Sequence, residues 1–281
     1  MKTNILAFSF TKIALAFLVS FLVISCEDPI DVELDTGETL LVVDGWITDQ
    51  PGPHSISLST TSPYFNDQAA PRKSGAEISV TDSEGNVENF TEKSAGVYES
   101  SEDFVGVVGQ KYFLNIQLGN EVYEAETEIR RPAQIDSLTQ AYKEKTMMNK
   151  EGIYVQYFGP EAEGTGDFYR FRILRNGQLL NKPTDLIVVQ DRLSDGVYFR
   201  ETQFHSEPFE VSDRIVIENW SITEDAYFFY SEMRDQISNG GMFADPIANI
   251  RTNIKSAPGN SLKAVGYFGA ASVVKKELII K

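Results

Sequence analysis

Cysteine is nearly absent from this chain, with Cys26 the one thiol among 281 residues. One thiol makes no intrachain disulfide, so the fold has to stand on its core. Histidine is almost as scarce. His54 and His205 have no second histidine at helical or hairpin spacing and make no metal site without several carboxylates, so both read as strand-edge or loop residues. Long apolar runs are missing too, apart from IALAFLVSFLVI at residues 13–24. As a helix that run covers roughly 18 Å, well short of the ~30 Å hydrocarbon core, which argues against a permanent transmembrane span. Basic residues are absent from residues 27–71, where nine acids stand, and the whole chain carries a net charge of −16. That sign disfavours nucleic acid and anionic headgroups as partners. No GxSxG, Walker A, HExxH or EF-hand pattern occurs, and EGTGD at residues 163–167 is too short and badly placed for a dinucleotide fingerprint. With 41 Asp and Glu, any two carboxylates make a nominal acid and base, so none is named as catalytic.

What is present begins at the N-terminus. Lys2 and Lys12 flank a weakly polar start and the apolar run follows, the layout of a secretory signal peptide over residues 1–25. Val23-Ile24-Ser25-Cys26 then resembles a bacterial lipobox, in which a small residue precedes a cysteine whose thiol accepts a diacylglyceryl group. On that reading the mature chain starts at Cys26, has 256 residues and a net charge of −18, and is anchored to a membrane rather than spanning it. Residues 26–39, containing CEDPIDVELDTGE, read as an acidic tether. Two explanations fit it: a solvated spacer kept extended by self-repulsion, or a sorting address resembling that of surface-exported Bacteroidota lipoproteins.

Residues 40–130 hold about seven short alternating runs separated by turn signals, among them LLVVDGWIT, AEISVTD and KYFLNIQL, with Ser83-Glu84-Gly85 and Gly119-Asn120 as hairpin turns. This predicts an immunoglobulin-like or transthyretin-like β-sandwich. Arg130-Arg131-Pro132 interrupts the pattern and suggests a boundary. Residues 135–281 predict a second, antiparallel, mainly β domain, in which Tyr169, Phe171 and Ile173 alternate with Arg170 and Arg172 as in a sheet wet on one face. LKAVGYFGA at 262–270 and VVKKELIIK at 273–281 read as two separate strands, and residues 244–260 as a loop. One helix is expected over residues 221–239, opened by the capping box Ser221-Ile222-Thr223-Glu224, with Ala226, Tyr230, Met233 and Ile237 as its core stripe.

Few side chains stand out as chemistry. Asp191 and Asp195 before Gly196 have the makings of a calcium loop, but a polar turn explains them more simply. Trp46, Tyr64, Phe65, Trp220, Tyr267 and Phe268 are the candidates for a sugar or peptide groove, although most are expected in the core. Tyr64 and Phe65 differ, because they lie in a long proline-bracketed loop, where an aromatic pair suits a ligand or partner contact. No cofactor or metal is indicated.

The succession of lipobox cysteine, acidic tether, LVVDGWIT, a loop with PYF, AEISVTD, VYES, KYFLNIQL, IDSL, a single helix, DPIANIRTNI and VGYFGAAS is similar to a Bacteroidota lipoprotein family known as domain of unknown function forty-two forty-nine. The resemblance covers nearly the whole mature chain and carries over one residue role, lipidation of Cys26. It implies an outer-membrane location, on the periplasmic face or at the cell surface. It also implies, by association, a non-enzymatic accessory role beside a TonB-dependent receptor in nutrient uptake. Asp136-Ser137-Leu138 resembles the O-glycosylation site of exported Bacteroidota proteins, which would make Ser137 the acceptor. An adhesion or extracellular interaction module is the second reading and an unrecognised hydrolase the third.

Overall fold

KYFLNIQL places Tyr112, Leu114 and Ile116 on one side of an extended chain, and in the computed structural model these three are buried while Lys111, Phe113 and Asn115 are exposed. The structure describes residues 37–62, 69–147, 149–239 and 249–281. Cys26, Tyr64 and Phe65 lie outside them, as does the tether up to residue 36. The same period-two logic makes strands β1 (Leu41–Thr48), β2 (Ser55–Thr60), β3 (Glu77–Asp82), β4 (Val87–Ser94), β5 (Val97–Glu99), β6 (Lys111–Leu118) and β7 (Glu121–Glu128). The turns expected at residues 83–85 and 119–120 join β3 to β4 and β6 to β7. Leu41, Val43, Ile56, Leu58 and Tyr98 from β1, β2 and β5 share one core with Ile78, Val80, Leu114, Ile116 and Tyr123 from β3, β6 and β7. This is the expected N-terminal β-sandwich.

The remainder contributes β8 (Ser137–Lys143), β9 (Gly152–Pro160), β10 (Phe168–Arg175), β11 (Gln178–Leu179), β12 (Ile187–Gln190), β13 (Tyr198–Thr202), β14 (Arg214–Ile222), helix α1 (Glu224–Ser238), β15 (Lys255–Ser256) and β16 (Ala264–Ile279). The fold is therefore mainly β, with one α-helix among the described residues. A large mixed sheet runs β11-β10-β14-β16-β1-β2-β5-β4-β3-β6-β7-β15 with β12 also on β10, and a small antiparallel sheet runs β13-β9-β8. Tyr169, Phe171, Ile173, Ile215 and Ile217 pack towards Leu138, Val155 and Tyr157 of the small sheet.

Three local expectations change. The two strands expected at 262–281 are one 16-residue strand, β16, because Ala271 and Ser272 between them have no Gly or Pro to break the chain and are themselves buried and paired, with Thr48 and Ser221. Its first half pairs in parallel with β1 and its second half antiparallel with β14. It thereby joins residues on both sides of the boundary expected at 130–134, and residues 38–281 form one unit. The helix is capped by Thr223, whose hydroxyl accepts from the Ala226 amide at 3.2 Å, and not by Ser221. Ser221 and Ile222 still belong to β14, paired with Tyr169 and Phe168, and the Ser221 hydroxyl is taken by the Ala133 amide at 3.1 Å. Finally, the segment read as a loop contains β15, which adds an edge to β7. Along α1, Ala226 and Tyr230 are buried as expected, Met233 is half-buried and Ile237 is exposed.

Candidate functional site

Strands β10, β14, β16 and β1 are successive neighbours, so their alternate residues project side by side from one face. On that face stand Arg170 and Arg172, Glu218 and Trp220, Tyr267, and Asp44 and Trp46, with Phe229, Tyr230 and Met233 laid over them from α1. All of these except Glu218 line a cleft of about 540 Å³. A second hollow of about 430 Å³ adjoins it, sharing Asp44, Trp46 and Trp220 and extending along Thr48 to Ser55. Both tryptophans of the chain are therefore in the wall between them. The volume suits a small ligand.

The aromatic side chains hold one another in place. Trp46 stacks on Tyr230 with centroids 5.7 Å apart and on Tyr267 at 6.1 Å, and meets the edge of Trp220 at 5.7 Å. Phe229 closes the set by stacking on Tyr267 at 4.8 Å. Such contacts add about 0.5–1.5 kcal/mol per pair beyond burial. Trp46 can lie flat over β16 because its register partner is Gly269: a Cβ there would come within 2.4–2.5 Å of three indole carbons.

The charges are arranged unequally. Arg172 lies 4.4 Å over the Trp220 ring and 3.5 Å from Glu218, whose carboxylate also accepts from the Trp220 indole at 2.9 Å. Burial lowers the Arg172 pKa against the opposing effect of Glu218. Arg170 lies 4.0 Å over the Tyr230 ring and donates to its hydroxyl, but forms no ion pair among the described residues. Asp44 likewise has none. Although part of Asp44 reaches solvent, the cleft walls strip water from its carboxylate and raise its pKa, opposed by Arg170 and then Arg72. Burial pushes the Tyr230 phenol up to about 12, so it stays a neutral donor and acceptor. The cleft thus offers a cation, an anion and an aromatic wall, the recognition chemistry of a polar ring-shaped ligand.

A second cluster lies elsewhere. Glu161, Asp167 and Asp191 are each at least nine-tenths buried, and each places an oxygen within 4.8 Å of the others. Oxygen donors of this kind suit a hard cation such as calcium. Much of their capacity is already used: Arg131 binds both Asp167 oxygens, Asp191 accepts from the amides of Gly166 and Asp167, and Glu161 accepts from the Tyr169 hydroxyl and the Gly196 amide. The expected neighbour of Asp191 is not part of this cluster, since Asp195 instead accepts from the Gly164 amide at 2.8 Å.

Desolvation raises the Glu161 pKa above the ordinary 4.5, partly offset by the Gly196 and Tyr169 hydrogen bonds and reinforced by Asp167 and Asp191. A carboxyl raised in the folded state favours folding below its unfolded pKa and loses that contribution as pH climbs through the folded value. The melting temperature of the native protein minus that of Glu161→Gln should therefore fall as pH rises above the ordinary carboxylate range. A difference that stays flat, or rises, would place the proton elsewhere.

The other sequence candidates separate. Phe268 is wholly buried in the sandwich core, and Ser137 is the half-buried first residue of β8. His54 is buried and its pKa is lowered by desolvation, while His205 places Nδ1 2.9 Å from Asp185. Trp46, Trp220 and Tyr267 do converge. The residues missed were Arg170, Arg172 and Asp44, and the available signal was a charge and a glycine inside the otherwise apolar LVVDGWIT. No curated protein matches this sequence. Residues 27–277, most of the chain, match one family, and the chain belongs to it: domain of unknown function DUF4249.

Proposed function

We propose that this protein is a non-enzymatic ligand-binding lipoprotein of the outer membrane, anchored through Cys26, that captures or admits a small ligand for a TonB-dependent nutrient transporter. The observation that carries the binding role is the cleft itself: a recess of about 540 Å³ bounded by both tryptophans and by two opposite charges with no ion-pair partner among the described residues. Such a recess is already shaped, so a ligand entering it meets side chains held by their own contacts and little further ordering is needed. The lipobox at Val23 to Cys26 supports the anchor, and the acidic stretch after it would hold the folded part away from an anionic surface.

Cys26→Ala should move the protein from the membrane fraction to soluble or uncleaved forms, because acyl chains would supply nearly all the membrane affinity of so acidic a chain. Unchanged fractionation would remove the anchor from this reading. Affinity capture of the native lipoprotein from detergent-solubilised outer membranes tests the partner: a TonB-dependent receptor should come with it.

A further inference from the structure

Arginines in this protein are mostly neutralised. Arg130, Arg131, Arg172, Arg175, Arg214, Arg234 and Arg251 each form an ion pair. Arg72, Arg170, Arg192 and Arg200 form none among the described residues; three of these are exposed to water, and Arg170 alone is withdrawn from it. A guanidinium carries five N–H donors in a fixed fork. Arg170 gives one to the Tyr230 hydroxyl and stacks its plane on the same ring, which fixes its position and leaves most of the fork uncommitted. A half-buried, positioned and unneutralised guanidinium lining a cleft is suited to a planar anion.

We propose that the ligand of this cleft is a carboxylated sugar, a uronic acid or a short oligosaccharide containing one, with its carboxylate on Arg170 and its ring against Trp46. This rests on the reading of the cleft as a ligand site and names the class it takes. Three features of the same wall select that class. Asp44 lines the cleft within electrostatic reach of Arg170, so a doubly charged phosphate or sulfate ester would be repelled more than a single carboxylate. An aromatic acid would cover Asp44 with apolar surface and leave its carboxylate dry, whereas sugar hydroxyls donate to it. Trp46 is the one ring of the stacked set that is not buried, so part of its indole is left to meet the C–H surface of a pyranose. The adjoining hollow of about 430 Å³ has room for a second ring.

The two tryptophans supply the readout, since both are in the wall. Whole lipoprotein in detergent is titrated with glucuronate and galacturonate, as monomers and as di- and trisaccharides, and in parallel with glucose, galactose and benzoate, following tryptophan emission and heat. The uronates should bind, and Arg170→Gln should weaken them roughly 10- to 100-fold, the loss of a charge-assisted hydrogen-bonding pair. Arg170→Lys, which keeps the charge but not the fork, should fall between the two and serves if the Gln variant misfolds. Benzoate or neutral hexoses binding as well as uronates, indifferent to Arg170, would overturn the acidic sugar while leaving the cleft a binding site. Silence across the panel would also overturn it, and an empty capture from outer membranes as well would overturn the capture role.

Discussion

Gly266→Ala should be among the most damaging single substitutions in this protein, destabilising it on the order of 3 kcal/mol or more, or roughly 6–12 °C in melting temperature for a fold of this size. Gly266 sits in β16 at φ +95°, opposite Val43 of β1 in the parallel pairing that joins the first and last strands. A Cβ built there would lie 2.0 Å from the Val43 carbonyl oxygen and within 3.0 Å of its nitrogen. These are backbone atoms, so no rotamer change relieves the clash; the strands must separate or β16 must abandon its conformation. Gly259→Ala is the control. Its φ is +96°, almost the same, but a Cβ there meets nothing within 4 Å, so it should cost only the left-handed strain of about 1–2 kcal/mol. Thermal melts of the two variants separate strain from collision, and equal losses would show that the close approach of Val43 contributes nothing.

That parallel joint was the least legible part of the fold. The β6 and β7 hairpin could be read directly, because Tyr112, Leu114 and Ile116 alternate and Gly119-Asn120 closes the turn. Nothing local tells β16 to run past Ala271, nor tells its first half to pair with a strand more than 200 residues earlier. The cleft divides the same way. Alternation in DFYRFRILR correctly put Arg170 and Arg172 on the face opposite Tyr169, but period two does not distinguish water from a covering helix. Only the tertiary placement of Tyr230 and Trp220 shows that these arginines lie on aromatic rings. The helix stripe was read as core, which Tyr230 satisfies by burial. The same residue also lines the cleft and holds Arg170, a double role invisible in the spacing Ala226, Tyr230, Met233.

The buried acids were illegible for a different reason. Glu161 follows β9, Asp167 precedes β10 and Asp191 follows β12, so their meeting depends on three strand ends and on Arg131, from the segment expected as a boundary. Arg131→Ala should therefore behave as a core mutation although its side chain is 45% exposed. Its guanidinium binds both oxygens of Asp167 and also donates to the carbonyls of Glu163 at 3.0 Å and Gly164 at 2.8 Å, tying down the loop that carries the cluster. Removing it leaves Asp167, only 4% exposed, beside Glu161 and Asp191 with no paired cation. Breaking a buried pair from one side costs about 3–5 kcal/mol, and the lower end applies because Arg131 itself is half in water. The added substitution Asp167→Asn should restore much of that loss, since it removes the charge that Arg131 was neutralising while the amide oxygen keeps an acceptor in place. Melting temperatures of the two single variants and the double variant close the cycle. If the double variant is merely the sum of the singles, the stabilisation comes from Arg131 holding the loop carbonyls and not from its charge on Asp167.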